Sequence, residues 1–326
     1  MDFPFKKALV TGGAGFIGSH LVEALVELGV ETLSVDNYFA GKHENLAHLK
    51  RHAHFHEVEC DVTDPAGLER LMPGVDVIFH QAASKKTICL KDPRKDLQIN
   101  GEGAYNLLEL ARKHNVRKFV HASTGSVYGE AQYFPQDEKH PLEPTSYYGV
   151  SKLAGEKYVQ AFHRLYGLDT TVLRYFHVYG PRQESSDVGG VVSIFARKML
   201  AGEPITIFGD GTQQRSFTYV KDVVQANLLA SSNPRATGEV YNLASAIKVT
   251  VKELADLLAE LLGVEELEIR YEDWLVGDIR VFDIDNSRIR QQLGLDFTRD
   301  FRAGLRRTLD WAIPYFKEAR QVVQRS

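Results

Sequence analysis

The sequence predicts an α/β fold with a doubly wound parallel sheet and a smaller, mixed α/β domain beside it. Three observations lead to this prediction. Short apolar runs typical of buried strands alternate with helical stretches through the first half of the chain, a glycine-rich turn follows the first run, and the alternation loosens after Gly180-Pro181. Strands that alternate with helices form parallel sheets, because each helix carries the chain back to the same edge.

The strands of the predicted sheet are short runs rich in apolar and β-branched residues. They are Lys7–Thr11, Glu31–Asp36, His54–Cys60, Val75–His80, Lys118–Ala122 and Thr170–Phe176, with a further strand near Val240–Leu243. The first helix is predicted over Ile17–Leu28, where apolar residues recur at helical spacing. Later helices are predicted over Gly101–His114, Tyr148–Leu165, Val192–Leu200 and Asp222–Ala230, and near 251–262, 287–292 and 300–312.

This pattern also predicts how the chain is divided between the two domains. Residues 1–180 and about 219–244 supply the sheet, while about 181–218 and 245–326 form the smaller domain. Because we find no flexible linker or internal repeat, the smaller domain is expected to consist of segments that leave and re-enter the larger one.

The composition excludes several classes of protein. The 326-residue chain has 39 basic and 43 acidic side chains and a formal net charge of −4, so it lacks the basic field that nucleic-acid binding requires. Its two cysteines cannot form a disulfide framework. We find no signal-peptide core and no apolar run long enough to span a bilayer. We therefore expect a cytoplasmic protein with neither nucleic acid nor membrane as partner.

A glycine-rich turn directly follows the first predicted strand. Gly12, Gly15 and Gly18 form a G-x-x-G-x-x-G pattern, and Asp36 ends the second strand 18 residues after the last glycine. Such glycines allow a tight turn and let a pyrophosphate approach the first turn of the helix, as in Rossmann-type sheets. A carboxylate at the position of Asp36 binds ribose hydroxyls and repels a 2′-phosphate, which favours NAD over NADP.

A tyrosine and a lysine stand four residues apart on the longest helix of the first domain. Tyr148 and Lys152 share one helix face, so their side chains point into the same space. A free phenol has a pKa of about 10, and a neighbouring cation favours its ionised form. The pair can then accept a proton from a substrate hydroxyl. Upstream, the hydroxyls of Ser123, Thr124 and Ser126 follow a strand of the sheet.

Taken together, these motifs resemble the extended short-chain dehydrogenase/reductase family, in its nucleotide-sugar epimerase and dehydratase branch. The resemblance covers nearly the full length. It is carried by TGGAGFIG at 11–18, Asp36, DVTD at 61–64, HQAA at 80–83, Asn100, STGSVYG at 123–129, YYGVSK at 147–152, LRYFHVYGPRQ at 173–183, RSFTYVKDV at 215–223 and GDIR at 277–280.

The resemblance implies roles for particular residues. Thr124, Tyr148 and Lys152 are expected to form the catalytic triad. The cofactor NAD is expected to contact Gly12, Gly15, Phe16, Ile17, Gly18, Asp36, Asn37, Asp61, Val62, Gln81, Ala82, Ala83, Lys85, Asn100, Tyr148, Lys152 and Tyr175. The substrate is expected to contact Lys85, Thr124, Ser126, Tyr148, His177, Arg215 and Arg280, with the two arginines on its diphosphate.

The family shares a first step, in which hydride moves from C4 of the sugar to NAD⁺. Relatives that eliminate water or carbon dioxide carry a carboxylate in the loop after the active-site threonine, whereas here Gly125 and Ser126 follow Thr124. The resemblance therefore favours 4-epimerisation of UDP-glucose and UDP-galactose type sugars. Dehydration, decarboxylation and a catalytically silent NAD-binding sensor remain alternatives.

Two features of the sequence bear on which sugar the substrate carries. Lys85 and Lys86 follow HQAA, where a cation could hold the carboxylate of UDP-glucuronate, and His177 replaces the asparagine of many relatives. The resemblance also implies a homodimer through the helices near 101–114 and 148–165. Five histidines crowd residues 43–56, but no cysteine or organised set of carboxylates accompanies them, so no metal site is predicted.

Overall fold

The computed structural model describes residues 3–84, 86–186, 189–274 and 279–325, with the backbone alone at 86–88 and 318–325. Its strands are β1 (Lys7–Thr11), β2 (Glu31–Asp36), β3 (Phe55–Glu59), β4 (Val77–His80), β5 (Lys118–Thr124), β6 (Thr170–Tyr175), β7 (Val178–Tyr179), β8 (Ile205–Phe208), β9 (Gln214–Ser216), β10 (Thr218–Tyr219), β11 (Glu239–Leu243), β12 (Lys248–Thr250) and β13 (Ile269–Glu272).

Most helices lie between these strands, as the alternating pattern predicts, but the last two follow β13, and the short helices at 65–69, 86–91 and 93–97 were not predicted. They are α1 (Phe16–Glu27), α2 (Pro65–Glu69), α3 (Lys86–Lys91), α4 (Pro93–Leu97), α5 (Gly103–Lys113), α6 (Tyr147–Tyr166), α7 (Val191–Ala201), α8 (Val220–Ser232), α9 (Val251–Leu262), α10 (Ser287–Leu293) and α11 (Phe301–Arg325). Short 3-10 turns cover His43–Leu49, Gly125–Val127 and Pro234–Ala236, and a π-helical turn covers Gln98–Glu102.

The main sheet has seven strands in the order β11-β6-β5-β4-β1-β2-β3, and every neighbouring pair is parallel. The order reverses at β1, which lies between β4 and β2. The predicted doubly wound parallel sheet is therefore confirmed. In such sheets ligands bind in the crevice at the carboxyl ends of the strands on either side of the reversal.

Apolar side chains cover both faces of this sheet. Leu9 and Val10, adjacent on β1, are fully buried in two different clusters, because successive side chains of a strand point to opposite faces. One cluster joins the sheet to α1, α8 and α10, and the other joins it to α2, α5 and α6. A third cluster lies among α7, α9, α11 and β8, outside the main sheet.

Two features of the C-terminal half differ from the sequence prediction. The pairs β7–β10, β8–β13 and β9–β12 form small sheets that were not predicted, because runs of two to four residues are too short to show periodicity. The last helix was expected to end near 312, yet α11 continues past Pro314, with Trp311 stacked on Tyr315 at a centroid distance of 4.7 Å. The proline ring lies on an exposed face, where the helix tolerates the missing N–H. The predicted division into two domains stays a prediction.

Candidate active site

A cavity of about 420 Å³ opens at the carboxyl ends of β1, β2, β3 and β4. Most of the predicted cofactor-binding residues line it. These are Gly12, Gly15, Phe16, Ile17, Gly18, Asp36, Asn37, Asp61, Val62, Gln81, Ala82, Ala83 and Tyr148. Asn100, Lys152 and Tyr175 do not line the cavity, and Lys85 falls outside the described residues.

In the glycine turn, two backbone segments pack closely against each other. This close packing leaves space beside the turn for a ligand. Gly12 adopts a φ of +66°, which favours glycine, and a Cβ at Gly18 would lie only 2.0 Å from the carbonyl oxygen of Gly12. Helix α1 begins at Phe16, and no side chain caps it. Its first N–H groups are therefore available to a phosphate at this end of the cavity.

Asp36 forms the ribose end of the cavity. Its buried carboxylate accepts hydrogen bonds from the backbone N–H of Ala14 at 3.0 Å and of Tyr38 at 2.9 Å. Burial raises the pKa of Asp36, while these N–H groups oppose that shift. A Cβ at Gly41 would lie 2.7 Å from the carboxyl carbon, so only glycine lets the following loop fold over Asp36. This arrangement fits the adenosine ribose of NAD.

Tyr148 and Lys152 lie one turn apart on α6. The helix begins at Tyr147, and Ser146 caps it by accepting a hydrogen bond from the N–H of Gly149 at 3.1 Å. Burial, with the charge of Asp96, raises the pKa of Tyr148 to about 12, and a hydrogen bond with Thr124 opposes that shift. Burial lowers the pKa of Lys152 to about 8. The structure thus pairs Thr124 with Tyr148 and places Lys152 one turn further along the same helix.

The loop after β5 is closely packed around Thr124. The Thr124 hydroxyl accepts a hydrogen bond from the N–H of Ser126 at 3.2 Å and lies 3.3 Å from the Ser126 hydroxyl. A Cβ at Gly125 would lie 2.3 Å from Cε1 of Phe176. A larger residue at Gly125 therefore requires Phe176 to move.

A buried ion pair fixes the middle of α6 to β6. Arg174 on β6 donates to Glu156 through Nη2 at 2.5 Å and through Nε at 3.1 Å, and neither side chain is more than 2% exposed. The Ser123 hydroxyl donates to the same carboxylate at 2.7 Å. Because Glu156 follows Lys152 by one turn and Ser123 precedes Thr124, this pair holds the helix and the strand that carry the predicted catalytic residues.

Asn100, which the resemblance assigns to the cofactor, has its side chain hydrogen-bonded to other protein groups. Its side-chain amide is buried and donates to Ser84 Oγ at 3.0 Å, Asp96 Oδ1 at 3.1 Å and Ser151 Oγ at 2.9 Å. Its side-chain oxygen accepts from the N–H of Ser84 at 3.0 Å. All these partners are protein groups. The side chain of Asn100 therefore holds α6 through Ser151, and it does not line the cavity.

Tyr175 also supports the wall indirectly. Its hydroxyl donates to Gln81 Oε1 at 2.9 Å and accepts from Asn227 Nδ2 at 2.8 Å. Gln81 Nε2 donates in turn to Asn227 Oδ1 at 3.0 Å. The three side chains form a closed ring of hydrogen bonds that fixes Gln81, which does line the cavity.

The two predicted diphosphate arginines lie on neighbouring segments. The N–H of Gln214 donates to the carbonyl oxygen of Arg280 at 2.9 Å, and Arg215 Nη1 donates to the carbonyl oxygen of Ile279 at 2.8 Å. Arg215 is largely buried and Arg280 is exposed. His177, which has a φ of +34°, is half-buried, with its ring centroid 4.6 Å from that of Phe282.

The comparisons with known proteins agree with this geometry. Residues 8–244 match the sequence model of the NAD dependent epimerase/dehydratase family. The putative UDP-glucose 4-epimerase of Methanocaldococcus jannaschii is 39% identical over 93% of this chain and 97% of its own length.

The chain belongs to this NAD dependent epimerase/dehydratase family. A solved UDP-glucose 4-epimerase from Thermotoga maritima, in complex with UDP-glucose, superposes with a TM-score of 0.89 at 39% identity, covering 95% of this chain and 99% of that one. A UDP-glucuronic acid 4-epimerase from Bacillus cereus, in complex with UDP-glucuronic acid and NAD, superposes with a TM-score of 0.89 at 30% identity, covering 95% and 99%. As a member of this epimerase family, the chain is an enzyme of the isomerase type with NAD as cofactor and a nucleotide sugar as substrate.

Several residues that line the cavity were missed by sequence reasoning. They are Val35, Phe39, Ala40, Gly41, Lys42, Asn45, Cys60, Lys95, Ile99, Arg182 and Glu184. Five of them belong to the loop after Asp36. The sequence signal that could have indicated these residues is Gly41. It lies in a segment without helical or strand periodicity, and a glycine there allows the loop to pack against Asp36.

Buried neutral histidines in this epimerase predict a loss of stability in acid. Burial lowers the pKa values of His80 and His177 to about 3, and it lowers that of His121 as well. Because unfolded histidine has a pKa of about 6.5, the unfolded chain binds more protons below that pH. The free energy of unfolding is therefore highest above pH 6.5, where these histidines are neutral in both states. It decreases as the pH falls from 6.5 towards 3.

We expect the free energy of unfolding, measured with urea, to fall by about 2 kcal/mol for each of His80 and His177 between pH 7 and pH 5. The His121→Met variant should lose less stability over this interval than the parent protein. The exposed His52 provides the control, because His52→Met should leave the pH dependence unchanged. Equal slopes for His121→Met and the parent would contradict the prediction.

Within the described ranges, no helix is both long and apolar enough to cross a membrane. Among those same residues, no group of three or more histidine, cysteine, aspartate or glutamate side chains is arranged to hold a metal ion.

Proposed function

We propose that the protein is a UDP-glucose 4-epimerase, which interconverts UDP-glucose and UDP-galactose through a transient 4-keto sugar. When bound, NAD would accept the hydride from C4 of the sugar and would be the source of the hydride that reduces the keto sugar. The family membership and the contact between Thr124 and Tyr148 support this proposal.

In this proposal Tyr148 accepts the proton of the sugar O4 and returns it when the keto sugar is reduced. Its pKa of about 12 in the protein alone is too high for a base at neutral pH. The positive charges of Lys152 and of the oxidised nicotinamide favour the phenolate. With a pKa of about 8, Lys152 remains mostly protonated at pH 7. Thr124 orients O4 through the hydroxyl that contacts Tyr148.

The tight packing at Gly125 is the observation that favours epimerisation over elimination. Loss of water from C5 and C6, or loss of carbon dioxide, requires a further acid or base beside the sugar. Gly125 and Ser126 supply no carboxylate, and Phe176 occupies the space that a side chain at 125 would need. The carboxylate of Asp96 is fully buried and accepts from Ser84 and Asn100, so it is not available to the sugar.

The keto sugar must turn its other face to the nicotinamide before the hydride returns. We infer that Arg215 and Arg280 hold the diphosphate while the sugar turns, with Ser126 and His177 beside it. Guanidinium groups suit this role because they pair with phosphate oxygens through two parallel hydrogen bonds. In this proposal the predicted smaller domain, residues 181–218 and 245–326, binds the nucleotide sugar, and the rest of the chain binds NAD.

The test is an NMR time course of the purified protein with UDP-glucose in D₂O, with no added reductant. We expect UDP-galactose to accumulate to equilibrium with hydrogen retained at C4, because the hydride that leaves C4 also returns there. A parallel sample with UDP-glucuronate is the control for the C6 group. The Thr124→Val variant, which removes only the hydroxyl, should slow the reaction.

Each alternative gives a different product. A 4-keto-6-deoxy sugar with deuterium at C5 would show a dehydratase, and a pentose with released carbon dioxide would show a decarboxylase. Faster turnover of UDP-glucuronate than of UDP-glucose would replace the proposed substrate with the uronate, which the lysines at 85 and 86 would suit. No reaction of either sugar would contradict the proposal as a whole.

We infer that two copies of the chain associate through α5 and α6. Exposed apolar and aromatic side chains lie along these helices, among them Tyr105 and Tyr158, whose ring centroids are 5.4 Å apart, and Leu165. Burying such a patch against a second copy removes it from water. The Tyr158→Glu variant should sediment as a monomer while the parent sediments as a dimer. Tyr271→Glu, at an exposed tyrosine of β13, is the matched control and should remain dimeric. A dimeric Tyr158→Glu protein would contradict this interface.

A further inference from the structure

The C-terminal helix reaches across the molecule to the cofactor cavity. The Lys42 ammonium donates to the hydroxyl of Tyr315 on α11 at 3.0 Å and lies 5.5 Å from the centroid of the same ring. The ring of Tyr315 is itself stacked on Trp311 at an interplanar angle of 18°. Lys42 lines the cavity, whereas Tyr315 does not. The contact therefore joins the wall of the NAD site to a helix far along the chain.

Lys42 belongs to a loop that lies against the glycine turn, and we call residues 37–45 the adenosine strap. The backbone N–H of Lys42 donates to the carbonyl oxygen of Ala14 at 3.0 Å, and Asn45 Nδ2 donates to the same oxygen at 2.9 Å. Gly41 packs against the Asp36 carboxylate. Phe39 and Ala40 also line the cavity. The strap thus covers the end of the cavity at which Asp36 fits the adenosine ribose.

We propose that Tyr315 is a positioning residue for cofactor retention, which holds the adenosine strap closed over NAD through Lys42 and slows release of the cofactor. This goes beyond the proposed function and does not depend on which sugar reacts. An enzyme that regenerates its cofactor in every cycle gains nothing from exchanging it. Release part-way through a cycle would leave an unreduced keto sugar with no hydride to return. A fixed strap prevents this loss.

The experiment measures exchange of the bound cofactor directly. The holoprotein is loaded with isotope-labelled NAD and chased with excess unlabelled NAD, and the rate constant of label release is followed in the absence of any sugar. Removing a hydrogen bond that a charged group makes should raise this rate constant by about 10-fold or more in Tyr315→Phe. Lys42→Met should give a similar increase. The double variant should release NAD no faster than the faster single variant, because both changes break the same contact.

The controls separate cofactor retention from general stability. Tyr271→Phe removes the hydroxyl of an exposed tyrosine on β13 and should leave NAD release unchanged. The rise in melting temperature that NAD produces should be smaller in Tyr315→Phe than in the parent, whereas a merely structural contact would leave that rise unchanged. An unchanged rate of NAD release in Tyr315→Phe, or multiplicative effects of the two substitutions, would overturn the proposal. Because no sugar is present, the result is independent of whether UDP-glucose is the substrate.

Discussion

Replacing Tyr148 with phenylalanine is expected to lower the kcat of epimerisation by about 10²- to 10⁴-fold, the range by which a positioned acid–base group accelerates a reaction. The change removes only the phenolic oxygen, so α6 and its Ser146 cap should be unaffected. NAD should remain bound at the parent stoichiometry, because the glycine turn and Asp36 lie elsewhere in the cavity wall. Progress is measured by NMR with UDP-glucose, and bound NAD by absorbance after denaturation.

The adjacent tyrosine provides a matched control for this substitution. Tyr147 lies one position earlier on the same helix and is 61% exposed. Tyr147→Phe should therefore retain most of the parent kcat. Equal activity of Tyr148→Phe and Tyr147→Phe would show that the proton acceptor is another group. Loss of NAD from Tyr148→Phe would show that the phenol acts mainly in cofactor binding.

Replacing Arg174 with methionine is expected to lower the free energy of unfolding by about 3–5 kcal/mol, because it leaves the buried carboxylate of Glu156 without its cation. For a chain of this size the melting temperature should fall by roughly 4–7 °C. The activity of the protein that stays folded should fall too, since the same carboxylate accepts from Ser123 and stands one turn from Lys152. Calorimetry of the NAD-bound protein measures the first effect.

An exposed ion pair serves as the comparison for Arg174. Arg270 and Glu268 lie 3.4 Å apart on the surface, and both side chains are more than 60% exposed. Arg270→Met should change the free energy of unfolding by less than about 1 kcal/mol, as is usual for exposed pairs. If the two variants melted at the same temperature, the buried pair would not be the anchor of α6. The double variant Arg174→Met with Glu156→Leu should recover part of the lost stability, because it removes the buried carboxylate that Arg174→Met leaves without its guanidinium partner.

The parts of the site that the sequence predicts are those governed by local rules. The glycine turn was recognisable because close packing of a helix on a strand restricts residues 12–18. Asp36 followed from its place at the end of β2, and Tyr148 with Lys152 from the spacing of a helix. In each case the residues that must come together are neighbours in the chain or lie at the ends of adjacent strands.

The parts that were missed depend on contacts between distant segments. Nothing near Arg174 in the sequence indicates that its partner is Glu156, since the contact forms only when α6 packs on the sheet. Asn100 was assigned to the cofactor by resemblance, but its amide faces Ser84, Asp96 and Ser151, which belong to different segments. The adenosine strap lacks periodicity, so its position over Asp36 could be read only from the fold.

The hydrogen-bonded ring of Gln81, Tyr175 and Asn227 restricts which phenol of the site can take part in acid–base chemistry. Each member donates once and accepts once within the ring, so the bonds run in a single direction around it. Burial raises the pKa of Tyr175, and loss of its proton would also remove the bond to Gln81. Tyr175 is thereby kept protonated and does not line the cavity, whereas Tyr148 lines it and can ionise when positive charge lies nearby. Asn227 on α8 thus helps to restrict acid–base chemistry to Tyr148, because it holds the hydroxyl of Tyr175 in the ring.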